Sequence, residues 1–307
     1  MAATVLGLAA CGDDDENAPP SPGSSQLTIY SSLPLQGPTR AQSLAIVNAE
    51  KLALSQAGGR VGPFTVKYVS LDDSRADTGR WDPGAVLSNA RRAVEDRSAI
   101  AYLGEADSGA SAIAIPVLNS AGLLTVSPAS TYPGLTTTEA ADKGEPEKYY
   151  PSGARTFARV VPADDRQARV QVRLQQEAGC TKLFVVSDRD VYGRGIASAV
   201  AQYADEAGLD VVGEIPLLNN QKEFEDVGER VQKSGAGCVF VGVSLTMHTS
   251  ALLSALHAAV PRAQLFGPDA LDDAGLTSAL ATAVRSRLTL TSLALRLQGR
   301  AREFARA

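Results

Sequence analysis

The stretch that decides the predicted fold is Leu103-Gly104-Glu105-Ala106-Asp107-Ser108-Gly109-Ala110-Ser111, with the segment that continues to Thr131. Its pattern predicts a strand, a loop of small residues, a short helix over 112–120, a second strand, and the hydroxyl-rich loop 127–131. Both loops follow strands, and in an open parallel sheet ligands bind at that end of the strands. We therefore expect the hydroxyl side chains to share one rim: Ser108, Ser111, Ser127, Ser130 and Thr131.

That rim suits a small anion. A helix that begins near Gly109 directs its free backbone N–H groups and the positive end of its dipole towards the rim. Together with the hydroxyls, these groups favour capture of a carboxylate over proton transfer or nucleophilic attack. The alternative role for each Ser or Thr is that of a helix cap or a turn former.

The alternation of strands and helices extends over most of the chain. It starts near Leu27, is interrupted by the polar stretch 136–151, and resumes with a helix over 166–178. Such alternation predicts βαβ units and parallel sheets. We expect an α/β fold with two doubly wound parallel-sheet lobes, 27–157 and 158–288, joined by hinge strands. Residues 289–307 are expected to return towards the first lobe, with an incomplete C-terminus, because the last helical pattern has no capping signal.

Composition narrows the possible functions. The 307 residues suffice for two domains, and the formal net charge of -5 is spread without a basic stripe, so no nucleic-acid partner is expected. Two His and three Cys argue against a metal site or His-based catalysis. The sequence contains no apolar run of about 18 residues, no phosphate-binding loop and no nucleophile elbow. We expect neither a cofactor nor enzymatic activity.

The N-terminus resembles an export signal. Residues 1–11 are small and apolar and end in Leu8-Ala9-Ala10-Cys11, which resembles the lipobox of bacterial lipoproteins. Residues 12–26 are acidic and rich in Pro and Ser, which indicates a flexible tether. We expect lipidation at Cys11 and contact with the membrane through that anchor only. The alternative is a chance Cys after small residues, and no Lys or Arg precedes the apolar stretch.

A second motif completes the pattern, the run Asp188-Arg189-Asp190-Val191-Tyr192-Gly193-Arg194-Gly195. With the Ser108 loop and the 127–136 run, it resembles the substrate-binding proteins of branched-chain amino acid ABC transporters, the leucine/isoleucine/valine type of periplasmic binding protein. The resemblance covers about 27–293. It implies a monomer that lies outside the cytoplasm, closes two lobes over an amino acid or similar small carboxylate, and delivers it to an ABC permease. The alternative is a ligand-sensing receptor or regulator domain of the same fold.

The resemblance also implies which residues bind. Ser108, Ala129 and Thr131 hold the ligand carboxylate, Tyr192 of the second lobe covers the ligand, and Ser244 ends a strand that often presents an aromatic residue. The acid that neutralises a ligand ammonium is expected within 283–288, but that segment contains only Arg285 and Arg287 as charged residues. Either another acid takes this role or the ligand is not an α-amino acid; the acids considered are Asp188, Asp269, Glu105 and Asp107. We expect Glu105 and Asp107 to face outward. Asp269 is included among the expected ligand-binding residues, and Asp188 remains an alternative partner for the ammonium.

Two of the three cysteines, Cys180 and Cys238, each precede a strand of the second lobe. A strand order of 2-1-3 makes those strands neighbours. In an exported protein the two thiols can form a disulfide. The alternative is two separate buried thiols.

Overall fold

A computed structural model describes residues 26–218 and 224–293. The first lobe is a six-stranded sheet in the order β2-β3-β1-β4-β5-β6, parallel except for the short β2. Its strands are β1 (Gln26–Leu33), β2 (Arg60–Val61), β3 (Phe64–Asp72), β4 (Ala99–Leu103), β5 (Leu124–Ser127) and β6 (Phe157–Arg159). Its helices are α1 (Arg40–Gln56), α2 (Pro83–Glu95) and α3 (Ser108–Ser120).

The second lobe is a five-stranded sheet in the order β11-β10-β9-β7-β8. Its strands are β7 (Lys182–Ser187), β8 (Asp210–Pro216), β9 (Cys238–Gly242), β10 (Gln264–Gly267) and β11 (Leu288–Leu290). Its helices are α4 (Asp164–Glu177), α5 (Val191–Glu206), α6 (Glu225–Ser234), α7 (Thr249–Ala259), α8 (Ala274–Ala279) and α9 (Thr282–Arg285). Every residue of the central β9 is buried, as expected for a parallel strand covered by helices on both faces.

The predicted α/β fold with two doubly wound lobes is confirmed, and three details differ. Residues 157–159 form β6 at the edge of the first sheet, although they were predicted to be a connector. Residues 158 and 159 therefore belong to the first sheet rather than to the second lobe. Residues 289 and 290 pair with β10, so the predicted return segment 289–307 begins inside the second sheet. The signal segment, the tether and residues 294–307 lie outside the described residues.

The two lobes touch through small residues. A Cβ atom on Gly195 of α5 would lie 2.5 Å from the ring of Tyr132, and one on Gly109 of α3 would lie 2.6 Å from both Trp81 and Asp190. Glycine at these two positions thus allows α3 and α5 to approach closely. Within the described ranges, no helix is long and apolar enough to cross a membrane.

Cys180 and Cys238 form a disulfide with a Cα–Cα distance of 5.9 Å. The bond is possible because β7 and β9 are neighbours, with Leu183 in register with Cys238. Both cysteines are buried, at the end of the sheet opposite the loops that face the first lobe. The bond closes a sequence separation of 58 residues around the centre of the second lobe.

We expect the Cys180→Ser/Cys238→Ser double variant to lose about 2–4 kcal/mol of unfolding free energy, because the unfolded chain regains the entropy of an open loop. Urea unfolding of the oxidised proteins measures this loss. Dithiothreitol should destabilise the parent protein by a similar amount and leave the double variant unchanged. Equal midpoints for the parent protein with and without reductant would show that the two thiols are not bonded.

Candidate functional site

The loops after the strands of both lobes enclose a cavity of about 360 Å3. The first lobe contributes the ends of β1, β4 and β5 and the turn before α2, and the second lobe contributes the start of α5 and the loops after β9 and β10. Five of the six predicted ligand-binding residues line this cavity: Ser108, Ala129, Tyr192, Ser244 and Asp269. The cavity therefore lies where the topology of two parallel sheets places a ligand site.

Ser108 is the first residue of α3 and is 1% exposed. Its Oγ accepts a hydrogen bond from the backbone N–H of Tyr132 at 3.1 Å, so its own proton remains available to a ligand. Among the described residues, no side chain caps the N-terminus of α3, because the Asp107 carboxylate does not turn back onto the helix. A hydroxyl and a helix N-terminus at one place form a donor set for an anion.

The other two residues predicted to bind the ligand carboxylate, Ala129 and Thr131, differ from Ser108. The N–H of Ala129 already donates to Ser127 Oγ at 3.2 Å, although Ala129 lines the cavity. Thr131 is fully buried, and its hydroxyl donates to Asp164 Oδ2 at 2.9 Å. Because a hydroxyl has a single proton to donate, the Thr131 side chain stabilises the Asp164 carboxylate at the start of α4. Thr131 does not line the cavity, and its contact with a ligand stays a prediction.

Asp269 follows β10 and lines the cavity from the second lobe. Its Oδ1 accepts hydrogen bonds from the Tyr192 hydroxyl at 2.7 Å and from Gln167 Nε2 at 2.6 Å. The backbone N–H groups of Asp269 and Ala270 also interact with this carboxyl and favour its ionised form. Burial nevertheless raises the pKa of Asp269, although all of these hydrogen bonds oppose the rise. Tyr192 therefore orients an acid at the cavity wall as well as lining the cavity itself.

Glu105 and Asp107 were expected to face outward, and that expectation is wrong. Glu105 is fully buried, and its Oε1 accepts the Tyr102 hydroxyl at 2.6 Å. Asp73 is also fully buried, and the mutual repulsion of these two carboxylates adds to the effect of burial in raising the pKa of Asp73. The pair therefore retains a proton. Asp107 is half-buried and lines the cavity, where burial and then the Asp190 carboxylate raise its pKa to about 8.

Ser244, which lines the cavity, contacts Asp188, which was considered as an ammonium partner. Ser244 donates its backbone N–H to Asp188 Oδ2 at 2.8 Å, which ties the Asp188 carboxylate to the loop after β9. Burial raises the pKa of Asp188. Arg285, in the segment 283–288 where an acid was expected, is exposed and bonds to Thr277 and Thr282.

The structure also reveals a contact that the sequence did not predict. The turn between β3 and α2 carries Arg80 and Trp81 across to the second lobe, where both donate to Asp190 Oδ2, at 3.2 and 3.1 Å. Asp190 is mostly buried, with 6% of its side chain exposed. The one Trp of the chain, next to an Arg in an acidic turn, was the available sequence signal. Its partner 109 residues away was not predictable from local pattern.

The cavity wall is acidic overall. Asp107, Asp269 and Asp272 line it, and its one positive side chain among the described residues is Arg80, which already pairs with Asp190. Burial raises the pKa of Asp107 and of Asp269, and a ligand ammonium beside either carboxyl would favour its ionised form. The arrangement therefore suits a ligand that carries a positive group as well as a carboxylate.

The raised pKa of Asp107 predicts a pH effect on stability. Its native pKa of about 8 exceeds the unfolded value of about 3.9, so between those values the native state holds one more proton. The unfolding free energy of the parent protein should therefore fall relative to that of Asp107→Asn as pH rises from about 4 to about 8, and then level off. Urea unfolding at several pH values measures the difference, and a constant difference from pH 4 to 9 would contradict this assignment.

Comparison with known proteins identifies relatives of this architecture. A family model described as periplasmic binding protein matches residues 27–306. An amino acid binding protein of Pseudomonas aeruginosa is 26% identical over 187 residues, which are 61% of this chain and 45% of that protein. A Leu/Ile/Val-binding protein of Rhizobium johnstonii is 25% identical over 249 residues, which are 80% of this chain and 62% of that protein. The chain thus spans less than two thirds of the length of these curated relatives.

Solved structures agree on the fold. A leucine binding protein from Thermotoga maritima matches with a TM-score of 0.70 at 19% identity, over 84% of this chain and 67% of that one. A solute binding protein from Rhodopseudomonas palustris in complex with benzoate matches with a TM-score of 0.67 at 20% identity, over 84% of this chain and 66% of that one. At this level of sequence identity, the similarity to these structures shows only that the fold is shared. By the family match, which covers nearly the whole sequence, the chain belongs to the periplasmic binding protein family, whose members are solute-binding proteins rather than enzymes.

Proposed function

We propose that this protein is the solute-binding component of an ABC transporter and that it captures an α-amino acid in the interlobe cavity. One observation carries the proposal: Ser108 at the N-terminus of α3 and the Asp269 carboxylate line the same cavity from opposite lobes. The first is a donor for a carboxylate and the second an acceptor for an ammonium. A ligand that pairs with both stabilises the closed arrangement of the lobes.

The carboxylate end of the ligand pairs with the first lobe. The Ser108 hydroxyl and the N–H groups at the start of α3 supply charge-assisted hydrogen bonds of about 1.5–3 kcal/mol each. Two or three such bonds, less the cost of ordering the ligand, correspond to roughly micromolar binding. Ala129 contributes to the wall beside this end.

The ammonium end pairs with Asp269. Its Oδ1 is held by Tyr192 and Gln167, and in this proposal the carboxylate, which lines the cavity, accepts the ligand ammonium. Burial raises the pKa of Asp269 and so disfavours its ionised form. A ligand ammonium next to the carboxyl would restore ionisation. Gln167 also donates to Asp164, which accepts from Thr131, so the ammonium partner is connected by hydrogen bonds to the first lobe.

The curated relatives support an amino acid as the ligand class, since one is named amino acid binding protein and another Leu/Ile/Val-binding protein. A structural relative in complex with benzoate makes an aromatic carboxylate the alternative ligand. The two ligand classes differ in whether a positive group is present. The Asp269 carboxyl, which lines the cavity from the lobe opposite Ser108, supports the amino acid.

The transport role extends beyond the cavity. In this proposal the protein works outside the cytoplasm, is anchored by a lipid on Cys11, and delivers its ligand to an ABC permease. The family supports an extracytoplasmic solute-binding role. The Leu-Ala-Ala-Cys11 sequence supports the anchor.

Leucine and 4-methylpentanoate test the ligand class, because they differ only in the ammonium group. We expect leucine to bind the parent protein at least tenfold more tightly, as measured by isothermal titration calorimetry. The Asp269→Asn variant should lose about 10- to 100-fold in leucine affinity and little in 4-methylpentanoate affinity, since it removes one charge-assisted contact.

Two variants provide the controls for that experiment. Asp272→Asn changes an exposed acid on the same loop and should change leucine affinity less than threefold. Ser108→Ala should weaken both ligands by a similar factor, because it acts on the shared carboxylate. If benzoate or 4-methylpentanoate binds as tightly as leucine, the amino acid assignment fails. If no amino acid or carboxylate binds at all, the proposed solute-binding role fails.

Lipidation at Cys11 has its own test. Cells that express the full sequence and are labelled with tritiated palmitate should incorporate label into the protein, and the protein should fractionate with membranes. Cys11→Ser should abolish both results, whereas the Cys180→Ser/Cys238→Ser variant should retain them. Label that persists in Cys11→Ser would place the acyl group elsewhere and remove the basis for this anchor.

A further inference from the structure

A second cavity, of about 370 Å3, adjoins the first. Arg80 and Ser244 line both cavities, so the two meet between the turn before α2 and the loop after β9. Ser108 and Asp269, the contacts proposed for the carboxylate and the ammonium of the ligand, line the first cavity and not the second. The second cavity therefore extends the site away from the charged end of an amino acid.

The second cavity is mainly polar. Eight of the fourteen residues that line it have polar or charged side chains, and they come from both lobes. Two of these side chains accept hydrogen bonds from neighbouring backbone N–H groups: the Thr249 hydroxyl from Thr246 at 2.9 Å and the Thr78 hydroxyl from Arg80 at 3.3 Å. A ligand group that is wholly apolar would deprive the other polar groups of water without replacing their hydrogen bonds, which costs binding free energy.

Ser244 lies where the two cavities meet, and its hydroxyl is unsatisfied. The residue is 8% exposed, and its Oγ has no hydrogen-bond partner in the part of the chain that the structure describes. Its backbone N–H, by contrast, donates to Asp188 Oδ2 at 2.8 Å. A buried hydroxyl without a partner is costly, and a hydroxyl can both donate to and accept from a ligand. The junction therefore favours a polar ligand group.

An acceptor and a donor lie beside Ser244. Asp188 lines the second cavity, and its carboxylate oxygens accept from the backbone N–H groups of Asp190 and Ser244. Each carboxylate oxygen has a second lone pair with which it can accept another hydrogen bond. Arg80 pairs with Asp190 through Nη2, at 3.2 Å, and a guanidinium carries further N–H donors. The junction thus offers an acceptor, a donor and a hydroxyl that can act as either.

The opposite charges of Arg80 and Asp188 favour a neutral group. A cationic end of the ligand would gain from Asp188 and lose next to Arg80, and an anionic end would do the reverse, while either would pay the larger desolvation cost of an ion. The oxygen of an amide accepts from Arg80, its N–H donates to Asp188, and either can pair with the Ser244 hydroxyl. An amide-like group therefore matches the hydrogen-bonding capacity of all three residues.

We propose that the preferred ligand is an α-amino acid whose side chain ends in a neutral amide or urea group, bound by Arg80, Asp188 and Ser244 where the two cavities meet. This inference rests on the proposed function, because the carboxylate and ammonium contacts position the side chain. It makes Ser244 a specificity-determining residue. The second cavity nearly doubles the space of the first, so the site admits a side chain longer than that of leucine.

Four amino acids of equal length and similar shape test the inference by isothermal titration calorimetry. Citrulline has a neutral urea end, arginine a cationic end, 2-aminopimelic acid an anionic end and 2-amino-7-methyloctanoic acid an apolar end. We expect citrulline to bind the parent protein roughly tenfold or more tightly than each of the other three, because only its end satisfies donors and acceptors alike. Leucine, measured in parallel, reports the proposed amino acid binding by itself.

A pair of variants isolates the Ser244 hydroxyl. Ser244→Ala should bind citrulline about 3- to 10-fold more weakly, the equivalent of one hydrogen bond, and leucine within about twofold of the parent protein. Ser254→Ala is the matched control, because it removes an exposed hydroxyl of α7 that donates to the Ser250 carbonyl. It should leave the affinities for both ligands unchanged. Thermal unfolding should confirm that both variants are folded.

Two results would overturn the inference and leave the proposed function intact, provided that leucine binds. In the first, one of the three other ligands of the series binds the parent protein as tightly as citrulline. In the second, Ser244→Ala leaves citrulline affinity unchanged or weakens citrulline and leucine by the same factor. If neither leucine nor any ligand of the series binds the parent protein, the proposed function fails together with the inference.

Discussion

The site depends on the hydrogen bonds that join the two loops of the first lobe. Ser127 Oγ and Ser130 Oγ donate to the backbone carbonyl of Glu105 at 2.7 and 3.0 Å, and Ser111 shares a 2.7 Å hydrogen bond with Ser130. All four residues are buried, so these bonds are protected from competition with water. They hold the start of α3 against the loop after β5. Most of the hydroxyls of the rim therefore build the site, and Ser108 is left to meet a ligand.

Buried acids are the second theme of the molecule. Asp107, Asp188 and Asp269 all have raised pKa values, with burial as the main cause in each case. Such groups oppose folding at neutral pH unless they keep a proton or gain a cation. A ligand ammonium would supply that cation at Asp269. Burial of the Asp269 carboxyl thus lowers the stability of the folded protein and favours the binding of a cationic group.

Contacts between the lobes lie both beside the cavity and away from it, the latter including the ion pair of Arg194 with Asp142. Arg80 and Trp81 reach Asp190 from the first lobe, while Gly195 of α5 lies against Tyr132. Arg80 and Trp81 also line the cavity. The turn that brings the lobes together is therefore part of the cavity wall.

The sequence by itself determined the α/β architecture, the positions of most strands and helices, and the neighbouring position of Cys180 and Cys238. These follow from hydrophobic periodicity and from the order that βαβ units impose. It also indicated Ser108, because a Ser at the start of a helix after a strand has a defined place at the rim of a sheet. The short β6 was missed, since three residues carry too little periodicity.

Only the tertiary structure decided the roles of the other polar residues. Thr131 bonds to Asp164, Glu105 turns inward to Tyr102, and Asp269 meets Tyr192 across 77 residues of sequence. A side chain with several possible partners takes the one that packing brings within hydrogen-bond distance. That choice depends on contacts between elements far apart in the chain, and local sequence pattern does not encode them.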